Sequence, residues 1–356
     1  MLQAYALMQH LKKMGHTPEL LFVQSVELDT IGKIKYILKK HLFSHFVFKW
    51  KFLRYEESIE KNTRYFVEHY ISPKTEPLWK EEHFKKITSN DYNAYIVGSD
   101  QVWRARAYRY IQYAFFGFVE DNKPLFLSYA ASFGVDKWEY TIEETIRYKT
   151  QLQRFSGVSV REESGVALCK EYFDKDAVWV LDPTMLLEIN DYLQMVENEN
   201  EPKREAGILT YILDDTNETQ KLTEEVSKIL NLPLFSVNVK SKHQNSTIKD
   251  ITYPTVTSWL RGFFDASYVV TDSFHGCVFA ILFNKPFVVY GNQKRGMARF
   301  NSILKLFELE ERLITSTETF ENKIIHSPIN WERVNTILQQ QRVHSMNYLS
   351  NTLNSI

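Results

Sequence analysis

The chain is poor in cysteine, in net charge and in long apolar runs, and each shortage removes a class of protein. Of its 356 residues only two are cysteine, Cys169 and Cys277, and neither has the spacing of a CxxC pair or a metal-ligand cluster. A disulfide scaffold and a zinc site are therefore not expected, and a reducing compartment, the cytoplasm, fits this usage. The 43 lysines and arginines nearly cancel the 44 aspartates and glutamates, leaving a formal net charge of -1. A nucleic-acid partner is not expected on that balance, because sustained attraction to a phosphate backbone needs an excess of cations. Any anion site must be local. No stretch reaches the roughly 18 uninterrupted apolar residues of a membrane span. Polar residues break every apolar run in residues 1–13, which read as an amphipathic helix rather than a signal peptide. Internal repeats and low-complexity tracts are lacking as well.

What is present is the composition of an ordinary globular protein, 44% hydrophobic and 24% charged, at a length that favours two domains. Aromatic residues make up 14%, compatible with sugar-stacking surfaces although core filling is their commoner use. Short β-branched or aromatic runs alternate with helix-length amphipathic segments, the pattern of parallel sheets wrapped by helices. Strands are expected at residues 19–23, 94–97, 125–130, 157–160 and 178–181, and in a second set at 207–212, 234–237, 268–271 and 287–290. Between the sets, residues 197–205 hold almost nothing apolar and read as a linker. The fold class is thus α/β, with two Rossmann-like domains facing a cleft, 1–195 and 196–356. A helix from 330 to about 349 ends the second domain and is able to cross back over the first.

One segment breaks the rhythm. Residues 33–54 mix aromatics with cations, among them Lys39, Lys40, Phe43, Trp50 and Lys51. A helical insertion packing its aromatics on the first domain is the simpler reading. The alternative is peripheral contact with an anionic membrane surface, at the inner face of the membrane.

Parallel sheets bind ligands where loops leave the carboxyl ends of strands. Ser99, Asp100 and Gln101 follow one expected strand, and Arg161 follows another. Asp182 with Pro183 follows a third, while Ser273 and His275 begin an apolar helix after a fourth. Lys294, Arg295 and Arg299 come after the last. Backbone amides at the helix start near Ser273 suit an anion, and His275 beside them supplies a proton or a positive charge. The planar fork of Arg161 takes a carboxylate or phosphate in two parallel hydrogen bonds. Together these groups fit a small, multiply charged anion. Plainer readings stand beside each: His275 as a helix cap, Arg161 with Glu162 and Glu163 as surface ion pairs, Lys294 to Arg299 as a solvated helix face, and Gly98-Ser99-Asp100 as a turn. Asp182 reads as structural, a rigid strand-to-turn junction before proline.

The motifs IVGSDQVW at residues 96–103, SYAASFG at 128–134, SVREESG at 159–165, LDPTMLL at 181–187 and TDSFHGCVFAILFNKPF at 271–287 resemble the polysaccharide pyruvyl transferase family. The resemblance implies a GT-B-like architecture, with the first domain on the acceptor side and the second on the donor side. It implies transfer of pyruvate from phosphoenolpyruvate to a sugar of a cell-surface glycan, capsule or exopolysaccharide, as a ketal with release of phosphate. His275 matches the family's donor-contacting histidine and general acid, Arg161 its donor-binding arginine, and Lys294 or Arg295 its donor-binding cation. Ser273 and Arg299 join that donor set. Ser99, Asp100 and Gln101 form the acceptor set, with Asp100 orienting or deprotonating an acceptor hydroxyl on a sugar or lipid-linked oligosaccharide. Phosphoenolpyruvate is a co-substrate, and neither cofactor nor metal is implied. The family also carries a strand and an asparagine- and glycine-containing loop ahead of the LQAYAL helix, which the sequence does not include. A longer gene product, a misassigned start and a weakened activity are each compatible with that. A nucleotide-sugar glycosyltransferase and a catalytically weak carbohydrate-binding protein are the alternative functions.

Overall fold

The computed structural model describes residues 1–23, 56–108, 110–239, 247–291, 296–318 and 320–354. Residues 33–54, with their two readings, lie outside these, as do Lys294 and Arg295. Helices α1 (Leu2–Lys13) and α2 (Glu56–Tyr70) precede β1 (Ala94–Val97) and β2 (Leu125–Ser128), which pair in parallel. After α3 (Ile142–Leu152) come β3 (Ser159–Val160), α4 (Glu163–Phe173) and β4 (Val178–Trp179), the two strands again parallel. Single bridges from Leu127 to Gly157 and from Ala131 to Val160 join the pairs into one parallel layer in the order β1-β2-β3-β4. At that junction Ser128 and Ser159, both fully buried, each donate a hydroxyl to the other's carbonyl, at 2.9 and 2.8 Å, satisfying groups the interrupted ladder leaves open.

The second half holds α5 (Ile189–Asn198), β5 (Ile208–Tyr211), α6 (Asn217–Leu230), β6 (Leu234–Ser236), α7 (Val256–Asp265) and β7 (Tyr268–Thr271). It continues with α8 (Phe274–Leu282), β8 (Phe287–Tyr290), α9 (Ala298–Leu306) and β9 (Leu313–Ile314), and ends in α10 (Trp331–Leu353). Its five strands form one parallel sheet in the order β6-β5-β7-β8-β9. β7, all four residues buried, reads Tyr-Val-Val-Thr, the continuous apolar run expected of a strand covered on both faces. α8 behind it is buried nearly all round for the same reason. The architecture is therefore the expected α/β one of two parallel layers.

Several expected strands end early for local reasons. Residues 125–130 stop at Ser128 because Ala130 takes a left-handed φ of 52°. The expected strand at 19–23 is reduced to single bridges of Leu20 with Lys74 and Val23 with Leu78. The expected linker is pinned rather than free: Tyr70 donates to Glu199 at 2.6 Å, Thr257 donates to Glu201 at 2.8 Å, and the Arg204 amide donates to Asp265 at 2.7 Å.

The halves are laced together by crossing helices. α10 returns to the first layer: Arg342 donates to the carbonyls of Met185 and Leu187, each at 2.6 Å, Ser345 accepts from the Leu181 amide at 3.0 Å, and Tyr348 donates to the Ser128 carbonyl at 2.8 Å. In the other direction Phe66, within α2, and Ile71, just past its end, join the core of the second half. Cys169 and Cys277 are buried, in separate core clusters. Among the described residues no helix is long and apolar enough to cross a membrane.

Candidate active site

The loops leaving β1, β3, β4 and β7 converge on one point between the two layers. Arg161 stands directly after β3, its backbone held on both sides: its amide donates to the Ala131 carbonyl at 3.1 Å, and its carbonyl accepts the Trp179 indole N–H at 3.0 Å. Its side chain is buried and forks between two carboxylates, Nη1 to Asp182 Oδ2 at 2.8 Å and Nη2 to Asp100 Oδ1 at 3.1 Å. Burial opposes the charge, but Asp100 and Asp182 raise the guanidinium's pKa above its ordinary value. The plainer reading, surface ion pairs with Glu162 and Glu163, is overturned. Glu162 is fully buried and accepts the amides of Phe133 and Gly134 at 2.7 and 3.0 Å and the Ser132 hydroxyl at 3.0 Å. It therefore fixes the SYAASFG loop. Glu163 instead reaches across to the second half and pairs with Lys305 at 2.7 Å.

Asp182, expected to be structural only, is the hub. Its Oδ1 accepts the amide and hydroxyl of Thr184 at 3.0 and 2.7 Å; its Oδ2 accepts from Gln3 at 2.7 Å and from Arg161, and faces His275 Nε2 at 3.6 Å. Burial works against its ionisation, yet the facing His275 imidazole and the Arg161 guanidinium hold its carboxyl well below the usual carboxylate range. The strand-end rule that pointed to Arg161 applies equally to Asp182, but the proline after it absorbed the signal.

His275 enters from the second half in the first turn of α8. Ser273 caps that helix, its Oγ accepting the Gly276 amide at 3.4 Å, while the Ser273 amide donates to Thr271 at 3.0 Å. Asp272 accepts the amides of Leu213 and Asp214 at 2.7 and 2.8 Å, tying the loop after β5 to the loop after β7. His275 Nε2 is buried and has no hydrogen-bond partner among the described residues. Beside it the Phe274 ring lies under two guanidiniums, that of Arg161 at 4.4 Å and that of Arg299 at 5.5 Å, one from each half. Burial and the neighbouring Arg161 push the Arg299 pKa down to about 10.

The remaining expected residues are placed less directly. The turn bearing Asp100 is tight: Gly98 has φ 129°, a Cβ there would meet the Tyr129 carbonyl oxygen at 2.0 Å, and Asp100 itself takes φ 67°. The Asp100 side chain is half-exposed. Partial burial raises its pKa, but Arg161, His275 and Arg299 hold the carboxyl below its ordinary value. Ser99 Oγ accepts from Gln3 at 2.5 Å, and Gln101 accepts from Arg104 at 2.8 Å, so both are engaged within the protein. The structure thus brings Asp100, Arg161, Ser273, His275 and Arg299 together. Gln3, Asp182 and Phe274 belong to the same cluster and were not expected there. Among the described residues no group of three or more His, Cys, Asp or Glu is placed to hold a metal ion.

Two parallel α/β layers meet at a buried arginine pair and a helix-start histidine. The chain belongs to the polysaccharide pyruvyl transferase family, whose model matches residues 1–294. Among solved structures it is similar to a glycosyltransferase from Rickettsia africae ESF-5, 15% identical, covering 99% of this chain and 92% of that one at a TM-score of 0.43. It is also similar to the wall teichoic acid polymerase TagF, 9% identical, covering 99% and 98% at a TM-score of 0.42. Likenesses this loose carry no argument about activity, and the architecture stands on its own sheets. No curated protein matches the sequence.

Proposed function

We propose that the chain transfers pyruvate from phosphoenolpyruvate to two hydroxyls of a glycan sugar, forming a ketal and releasing phosphate. The observation that carries this reading is the arrangement of Arg161 and Arg299, from opposite halves, on one phenylalanine ring beside His275. Two guanidiniums brought to one ring set cationic groups from both halves beside His275, and a small anion with a carboxylate and a phosphate suits that pairing. Lys294 and Arg295 join this donor set on the sequence alone.

The chemistry follows from the donor's electronics. A proton from His275 to the methylene carbon makes the adjacent carbon an oxocarbenium-like electrophile, and one acceptor hydroxyl adds there, losing its proton. Departure of phosphate, with Arg161 and Arg299 offsetting its charge, regenerates the cation for the second hydroxyl. Of the two protons lost by the diol, one restores His275 and the other leaves on the phosphate. Asp182 orients the imidazole and keeps Arg161 fixed. Asp100, bound to Arg161, positions that arginine, and orienting an acceptor hydroxyl is its second role in this scheme. The scheme calls for no metal or nucleotide.

The test is phosphate release from phosphoenolpyruvate with a panel of bacterial glycan acceptors. Acceptor-dependent release that falls by about 10²-fold or more in His275→Ala, with an unchanged unfolding transition, is the expected result. Release retained in the variant sinks the acid assignment. A thermal shift with nucleotide sugars and none with phosphoenolpyruvate turns the reading toward glycosyl transfer.

A further inference from the structure

On the other side of His275 the second half holds a cavity of about 790 Å³, within the range of about 300–1,000 Å³ typical of small-molecule sites. Its position follows from topology. β5 leads through α6 to β6 on one flank, whereas β7 lies on the other. The sheet therefore reverses its winding between β5 and β7, and the crevice at the carboxyl ends there is the usual place for a ligand. His275 and Phe279 line the cavity from α8, and Gln3 and Thr63 reach it from the first half.

Its chemistry differs from that of the arginine cluster. Among the described residues that line it there is no lysine or arginine; the Met1 ammonium, which also lines it, interacts with Asp100 and Asp182. The cavity carries instead four aromatic rings, Tyr211, Tyr253, Trp259 and Phe279, and two exposed carboxylates, Asp215 and Glu224. Trp259 is braced edge-on against Tyr211 at 5.3 Å and against Phe279 at 4.8 Å, which fixes the ring as a wall. Besides His275 Nε2, two buried polar atoms of the lining are unpaired among the described residues: Trp259 Nε1, and Oδ1 of Asn238, whose amide nitrogen is taken by the Ile212 carbonyl. Buried donors and acceptors without partners are costly, and their presence in a cavity wall marks a place where a ligand supplies the missing bonds.

A fixed aromatic wall, carboxylate and amide acceptors, and no lysine or arginine among the described lining residues suit a molecule with one apolar C–H face and a rim of hydroxyls. We propose that this cavity is the acceptor subsite and takes a neutral pyranoside, stacked on Trp259 and held through its hydroxyls by Asp215, Glu224 and Asn238. The proposal rests on the pyruvyl-transfer reading for its direction: the pyranoside presents hydroxyls to the donor across His275. It moves acceptor recognition away from Ser99 and Gln101, neither of which lines the cavity.

The test is binding without turnover. Ligand-observed NMR measures the affinities of p-nitrophenyl β-galactoside, β-glucoside, β-mannoside and N-acetyl-β-glucosaminide, and separately of phosphoenolpyruvate. The proteins are the wild type, the double variant Asp215→Asn with Glu224→Gln, and Trp259→Phe. The proposal predicts that at least one glycoside binds the wild type and loses about tenfold in affinity in the double variant, while phosphoenolpyruvate binds both equally. The double variant changes only exposed side chains, so its fold is safe, and Trp259→Phe keeps a ring in the wall and loses less than the double variant. No glycoside binding to the wild type, equal binding to the double variant, or loss of phosphoenolpyruvate binding in it overturns the proposal. Glycoside binding that behaves as expected with no phosphoenolpyruvate binding to the wild type supports the sugar site and overturns the donor reading instead.

Discussion

The two sides of His275 are built on opposite plans. Toward the first half, Arg161 is clamped by Asp182 and Asp100, Asp182 is held by three further donors from Gln3 and Thr184, and the charges nearly balance before any ligand arrives. Toward the second half, the described lining of the cavity holds carboxylates without lysine or arginine, and buried polar atoms without partners. The first plan gives rigid placement of charge, which suits a small anion whose reacting carbon must be aligned with an acid. The second leaves hydrogen-bonding capacity unspent, which suits a hydroxyl-rich ligand. A single histidine at the boundary is then able to serve both.

The largest effect that breaks this comparison comes from the clamp. Arg161→Ala leaves the wholly buried Asp182 without its guanidinium partner, and chemical denaturation should show a loss of about 3–5 kcal/mol. Arg161→Lys, which keeps the charge but not the fork, should lose less stability and still weaken phosphoenolpyruvate binding. An equally stable Arg161→Ala would mean that the clamp is not what orders the donor side.

Asp182→Asn sharpens the same point through pH. Because the folded-state carboxyl is depressed, its contribution is fully present above the unfolded value of about 3.9 and fades as pH falls from there toward the lower folded value. The stability gap between wild type and Asp182→Asn should be widest near neutrality and close below about pH 4; a constant gap contradicts the assignment. Glu162 carries the opposite sign. Burial raises its pKa despite Arg161 and the loop amides, so its charge is a cost at neutral pH. Glu162→Gln keeps an oxygen for the Phe133 and Gly134 amides and should change stability by no more than about 1 kcal/mol, the smallest effect of the series.

Much of this was legible from residue order alone. β1, β7 and β8 fall where their β-branched and aromatic runs place them, and α10 follows its apolar period. Strand ends were less legible, because Ala130 leaves the ladder through a backbone conformation that its side chain does not signal. β9, two residues long, carries too little pattern to register. In the site, Arg161, His275 and Arg299 were visible because charged groups at strand ends stand out. Asp182 was masked by its proline, Phe274 by its resemblance to any core aromatic, and Gln3 by its place on a helix far away in sequence. The cavity was not legible at all, since its lining comes from six separate stretches of chain that only the fold brings together.

The most direct test of the central claim is a crystal structure with phosphoenolpyruvate bound. The account predicts the carboxylate and phosphate on Arg161 and Arg299, with the methylene carbon about 3–3.5 Å from the His275 imidazole and the 790 Å³ cavity left open. Phosphoenolpyruvate seated in that cavity, or held away from both arginines, would contradict it.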